Sequence, residues 1–264
     1  MKIVDGFTFY NEFQLLSYRL HLLYDVVDFF IIVEATHTFM GTPKPLLYKE
    51  NAHLFDKFKS KIIHVVVDNL PFLIPDVQKG EQWLNEKFQR NCIDVGIKHL
   101  SLQPEDLIMI TDVDEIPDPR TLNAIKQGRA TITFNILVMD LYYYNLYTRY
   151  ETKWFHAKII SHQEYTRLNV VCDTIRLTFD CPAISYGGWH LSYFGSPSFI
   201  QNKTKTTPHQ EFNHETNVDL SVIEERIKQG KDVYNRGVDP QRIEIQKNDY
   251  VPMLYEVFLM NFAT

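Results

Sequence analysis

Cysteine is scarce. The 264 residues hold three, Cys92, Cys172 and Cys181, with no Cys-x-x-Cys and no paired spacing, which argues against a disulfide framework or a zinc site and for a reducing compartment. Long apolar runs are missing as well. No stretch reaches the roughly 18 apolar residues that a membrane span needs, and Met1 leads straight into Lys2-Ile3-Val4-Asp5-Gly6-Phe7-Thr8-Phe9 without the apolar core of a secretion signal. A cytoplasmic protein without a membrane span is expected. Charge of one sign is not concentrated either: 27 Lys plus Arg stand against 33 Asp plus Glu, a formal net charge of −6 without a sustained basic block. A phosphate-tracking stripe is therefore absent, and nucleic acid is not an expected partner. Internal repeats, low-complexity tracts and a glycine-rich loop with a basic residue near the N-terminus are also lacking.

Aromatic residues are plentiful: 15 Tyr, 18 Phe and 3 Trp, with Tyr142, Tyr143, Tyr144, Tyr147 and Tyr150 crowded together. Such rings serve protein cores and interfaces, and equally sugar rings and nucleobases. The length suits one large domain or two small ones with a substantial core.

Along the chain, residues 2–9 read as a strand. Asn11 is a candidate N-cap for a helix to about Val27, with Phe13, Leu16, Leu20, Leu23 and Val27 on its buried face. Phe29 to Ala35 is a continuous apolar run ending at Glu34, a buried strand. A loop with Gly41, Pro43 and Pro45 follows, then a short helix near residues 53–60 and a strand over residues 61–67. A helix over residues 81–100 is expected to carry Leu84, Phe88, Cys92 and Val95 inward, ahead of a strand at residues 107–111. This alternation predicts a mostly parallel sheet flanked by helices. After Pro119 the stretches 131–138, 154–161 and 184–193 read as strands with little helix between them, so residues 119–264 form a more antiparallel half of the same domain. A helix over residues 221–229 ends at Gly230. The apolar stretch 253–262 is a docking helix or an oligomer contact.

The most informative segment is Leu107-Ile-Met-Ile-Thr-Asp112-Val113-Asp114-Glu115-Ile-Pro117, an uncharged run that stops at an acidic cluster. In an open α/β sheet, ligands gather beyond the carboxyl ends of buried strands. On an extended segment Asp112 and Asp114 point the same way and Val113 the other. Two hard carboxylates so spaced suit Mg²⁺ or Mn²⁺ with open positions for phosphate oxygens. The same residues also suit an acidic loop that caps the next helix.

Further segments carry a resemblance. Asp5-Gly6-Phe7-Thr8-Phe9 with Asn11-Glu12, Val33-Glu34-Ala35 with Phe39-x-Gly41-x-Pro43-Lys44-Pro45, Phe88-Gln89-Arg90-Asn91, Asp112-Val113-Asp114-Glu115-Ile116-Pro117 and Gly188-Trp189-His190-x-Ser192 occur in order over most of residues 1–205. In these the chain resembles the glycosyltransferase family of β-1,4-mannosyl-glycoprotein 4-β-N-acetylglucosaminyltransferases, glycosyltransferase family 17, which add bisecting N-acetylglucosamine. The resemblance implies a GT-A-like fold, with a nucleotide-binding half over residues 1–118. It further implies a divalent metal and inverting transfer from a UDP-sugar, UDP-N-acetylglucosamine foremost, to a glycan acceptor. Under it, Asp114 and Asp112 hold the ion, directly or through water, and His190 is the candidate third ligand, its alternative being a core histidine beside a glycine turn. Arg90 reads as a phosphate or uridine contact, or as an ion-paired helix arginine. Lys203 and Lys205 read as diphosphate partners or surface lysines, and Glu34 as a nucleoside contact or a strand-end carboxylate. The base that takes the acceptor proton is assigned to Glu211, with Glu115 and Asp140 next. Two other readings compete: a nucleotidyltransferase with strand-end carboxylates, and a non-catalytic carbohydrate-binding protein that uses the tyrosine cluster.

Overall fold

The computed structural model describes residues 1–262. Among these residues ten strands form one continuous sheet: β1 (Ile3–Phe9), β2 (Phe29–Ala35), β3 (Ile62–Val67), β4 (Leu107–Asp112), β5 (Glu115–Pro117), β6 (Phe134–Tyr143), β7 (Thr148–Trp154), β8 (Lys158–Ser161), β9 (Ala183–Ser192) and β10 (Gln241–Arg242). The first four are parallel in the order β3-β2-β1-β4. From β4 onward pairing is mainly antiparallel, through β8 to β6 and on to β7 and β10, while β9 runs parallel to β6 and antiparallel to β5. The expected contrast between the two halves is present, and it places the acidic segment where they join.

The apolar strands sort their side chains by the two-residue period. Phe30 and Ile32 of β2, Ile3 and Phe7 of β1, and Leu107 and Met109 of β4 enter one core; Ile31 and Val33, Val4, and Ile108 and Ile110 enter the other. The helix Phe13–Leu23 covers the first core and the helix Ile93–Lys98 the second. Gly96 permits that second approach, because a Cβ there would stand 2.4 Å from Cγ2 of Ile31.

Several local expectations are corrected. Asn11 does not cap the first helix; the Glu12 carboxylate accepts the backbone N–H groups of Tyr10 and Asn11 instead. The helix expected over 81–100 breaks at Cys92 into Glu81–Asn91 and Ile93–Lys98; of the four residues expected inward, Phe88 and Cys92 pack against the second core and Leu84 and Val95 do not. Leu84 is 46% exposed and Val95 44%, whereas Gln82, Asn85, Gln89 and Arg90 are buried. The polar face faces inward because neighbouring chain supplies acceptors: Asn85 donates to the carbonyls of Phe39 and Phe72, and Gln89 to that of Val33. The strand expected over 131–138 runs further, to Tyr143, and so takes in the start of the tyrosine cluster; Tyr143, Tyr144 and Tyr150 pack in a third core. The stretch 154–161 is divided between β7 and β8. The helices His162–Leu168, Cys172–Arg176 and Pro197–Thr206 were not anticipated.

The helix Leu220–Gln229 ends at Gly230 in the left-handed conformation, as its sequence indicated. Residues 253–262 dock on their own chain, with the Tyr18 hydroxyl donating to the Met253 carbonyl and Leu259 and Phe262 buried. Among the described residues no helix is long and apolar enough to cross a membrane.

Candidate functional site

β4 does not continue extended through the acidic cluster. It ends at Asp112, turns at Val113 and Asp114, and re-enters the sheet as β5. Arg19 fixes this turn from beneath. Fully buried against the Phe7 ring, it holds Asp5 through two oxygens at 2.6 and 2.8 Å and donates to Thr111 Oγ1 and to the carbonyls of Asp112, Val113 and Glu115. A guanidinium suits this work because its planar fork offers several donors at once. β9 fixes the turn from the side: Leu191 N–H donates to the Asp114 carbonyl, and His190 stands opposite Glu115. Here the two glycines are in a strand bulge. Gly188 has φ 146°, and a Cβ on it would lie 2.1 Å from the Ile116 carbonyl oxygen, so a side chain is excluded where β9 squeezes between β5 and β6.

Above the turn opens a cleft of about 660 Å³ at the carboxyl ends of β1, β2 and β4. Asp112, Asp114, Arg90, His190 and Lys203 line it, so five sequence-picked residues meet there. Each acid is matched by base. Asp114 Oδ2 accepts from Lys203 at 2.8 Å, and His190 Nε2 lies 3.5 Å from Asp114 Oδ1. Burial disfavours the charged form of Asp114, but Lys203 and His190 outweigh it and hold the carboxyl far below the usual range. Asp112 faces Arg176 at 2.6 Å and Arg90 at 3.3 Å. Arg90 also binds Asp173 at 2.6 Å and Glu86 at 3.1 Å. His190 Nδ1 is buried without a hydrogen-bond partner among the described residues, with its ring against Trp154 at 4.3 Å.

Four assigned residues lie elsewhere. Glu34 is fully buried and caps the short helix Leu47–Glu50, accepting from the backbone of Tyr48 and Lys49, with His64 Nε2 3.0 Å away. It is a strand-end carboxylate outside the cleft. Glu211 sits on the surface, its side chain 53% exposed and paired with His209 at 2.6 Å. Asp140 is taken up by Lys153 and Arg149 on β7. Glu115 is wholly enclosed: Arg176 meets both its oxygens, Trp154 Nε1 donates to Oε1 and the Asp112 N–H to Oε2. Burial alone would raise its pKa; the Arg176 guanidinium more than reverses this and brings it to about 2. None of the three assigned bases lines the cleft. Lys205 is exposed and outside it as well, unlike Lys203.

Arg19 and Arg176 escaped the sequence reading. An arginine inside the apolar face Leu15-Leu16-x-Tyr18-Arg19-Leu20 was the signal for the first; the second lies on a five-residue helix too short for periodicity to reveal. The cleft also gathers Glu12, Glu86, Lys44, His156, Tyr143, Tyr193 and Tyr234. Burial depresses the His156 pKa to about 4, so its ring is neutral at pH 7.

No three His, Cys, Asp or Glu side chains converge as a metal cage among the described residues. Among the described residues, the carboxylate–imidazole pair with both partners lining the cleft is Asp114 and His190, with Nδ1 of the ring unpaired.

The family model described as Glycosyltransferase family 17 matches residues 1–239. Over 120 residues the chain is 32% identical to the beta-1,4-mannosyl-glycoprotein 4-beta-N-acetylglucosaminyltransferases of Rattus norvegicus and Homo sapiens. That stretch is 44% of this chain and 22% of each of those relatives. The corresponding protein of Mus musculus is 31% identical over the same length.

Proposed function

The chain belongs to glycosyltransferase family 17, and on that premise we propose that it moves N-acetylglucosamine from UDP-N-acetylglucosamine to a hydroxyl of a glycan acceptor, with inversion, on a GT-A-like fold. The observation that carries this reading is the Asp114 turn at the junction of the two halves, set in a cleft with Lys203, Arg90 and Arg176 around it. A departing nucleoside diphosphate brings concentrated negative charge, and these cations are already held where a ligand reaches them. Family membership favours this over nucleotidyl transfer or bare carbohydrate binding.

Asp114 and His190 would hold a Mn²⁺ or Mg²⁺ ion, with Asp112 beside them; when bound it would supply further positive charge to the leaving diphosphate. Asp114 is paired with Lys203, and Asp112 with Arg176 and Arg90, so a bound ion would compete with these cations for the two carboxylates. Lys203, which holds Asp114, would be a partner for phosphate, and Arg90 and Arg176 would share their donors between Asp112 and the same anion. Arg19 keeps the backbone of the turn fixed meanwhile.

The acceptor proton goes to a carboxylate that faces the cleft, Glu12 or Glu86. Glu12 uses Oε2 on two backbone N–H groups, and Glu86 uses Oε1 on Arg90. Titration calorimetry with UDP, with and without Mn²⁺, tests the donor site, and UDP release from UDP-N-acetylglucosamine tests the reaction. Absence of UDP binding under both conditions contradicts the proposal.

A further inference from the structure

The loop after β2 carries a lysine for which neither the acidic turn nor its counter-charges have a use. Residues 36–44 form a tight hairpin: Thr38 and Thr42 exchange hydrogen bonds, Gly41 N–H donates to the Thr38 carbonyl, His37 pairs with Pro43, and Lys44 N–H donates to the Thr36 carbonyl. Gly41 makes the turn possible, with φ 76° and no room for a Cβ, which would lie 2.0 Å from the Leu73 carbonyl oxygen. The hairpin thus delivers Lys44 to the cleft at a set position. Its Nζ is buried, finds no hydrogen-bond acceptor among the described residues, and lies 4.9 Å from the centre of the Tyr10 ring.

A buried ammonium without an acceptor is costly, and proteins rarely keep one. Glu12 and Glu34 supply only distant attraction, and burial lowers the Lys44 pKa despite them. Contact with a ligand removes that cost. Strand order places Lys44 relative to the acidic turn. The cations matched to Asp112 and Asp114 stand around β4, whereas Lys44 and Tyr10 stand on the far side, at the ends of β2 and β1. A nucleotide-sugar lying across these strand ends with its diphosphate at the acidic turn and its sugar toward the second half of the chain would have its nucleoside at Lys44.

We infer that Lys44 binds the nucleoside half of the donor, its ammonium donating to a carbonyl or hydroxyl oxygen of that half, with the Tyr10 ring beside it. The inference rests on the sugar-nucleotide reading above. Calorimetry on Lys44→Met with uridine, UMP and UDP tests it. The lost contact belongs to the part that all three share, so their affinities fall by the same factor, about tenfold for one charge-assisted hydrogen bond. The melting temperature without ligand stays level or rises, because the substitution removes an ammonium that had no acceptor. Lys44→Gln, which keeps an N–H donor, recovers part of the uridine affinity. Unchanged uridine affinity with weakened UDP binding makes Lys44 a phosphate residue and overturns the inference; so does unchanged affinity for all three, or a clear fall in ligand-free melting temperature. If the wild-type protein binds none of them, the sugar-nucleotide reading falls too; binding by wild type with no effect of Lys44→Met removes this inference alone.

Discussion

Arg176 grips both carboxylate oxygens of Glu115 at 2.6 Å, and neither side chain reaches solvent appreciably. The same guanidinium holds Asp112 at 2.6 Å, so one arginine on a five-residue helix binds both ends of the acidic turn. Glu115 is a brace for the site, with no oxygen left for an acceptor proton.

Glu115→Gln therefore acts on stability. Removing one partner of a buried pair leaves the other charge uncompensated, and a loss of about 3–5 kcal/mol is expected in denaturant unfolding. The pH dependence has a defined sign. The Glu115 pKa of about 2 lies below its ordinary 4.5, so its contribution is full above pH 4.5 and disappears as pH falls toward 2. The Gln variant should show a flatter stability profile in that window. Full stability with abolished turnover would return Glu115 to a direct chemical role.

His156 acts over a higher window. Its pKa of about 4, against 6.5 for a free imidazole, means that the folded chain favours the neutral ring; the associated stability is present above pH 6.5 and is lost as pH falls toward 4. His156→Gln should reduce the stability loss between pH 6.5 and 4 in urea titrations, and an unchanged slope would contradict the burial argument.

The strands were legible because their chemistry is local: β1, β2 and β4 are apolar runs whose alternate residues meet cores on opposite faces. The acidic turn and His190 were legible from motifs. The buried side of the Glu81–Asn91 helix was not, since periodicity finds apolar faces and this helix turns Gln82, Asn85, Gln89 and Arg90 inward, the last two into the cleft, to satisfy partners distant in sequence. The same blindness affected the choice of base. Glu211 has polar neighbours and follows His190 in sequence, yet a carboxylate's direction depends on partners such as His209, which sequence order does not weigh.

Exposed Glu211 and cleft-lining Glu12 and Glu86 should behave oppositely. Glu211→Ala should change stability by less than about 0.5 kcal/mol and leave turnover near the parent value. Glu12→Gln or Glu86→Gln should abolish transfer while UDP binding persists. Loss of transfer in the Glu211 variant alone would overturn this assignment.

His190→Asn tests the imidazole. Its Nδ1 has no hydrogen bond to lose, so stability without ligand should fall only by the lost packing against Trp154 and the lost Nε2 contact with Asp114, about 1–2 kcal/mol. Mn²⁺ affinity in the presence of UDP should fall at least about tenfold, some 1.4 kcal/mol. A large loss of stability with unchanged Mn²⁺ affinity would make His190 a packing residue.

The most direct measurement is UDP release from UDP-N-acetylglucosamine by the wild-type protein and by Asp114→Asn, each with Mn²⁺ and with excess chelator, alongside Mn²⁺ binding in the presence of UDP. The account predicts metal-dependent release by the wild type, reversal of its loss when Mn²⁺ is restored, and neither release nor UDP-dependent Mn²⁺ binding in a folded Asp114→Asn variant. Release at the parent rate by Asp114→Asn, or full wild-type activity in chelator, would contradict it.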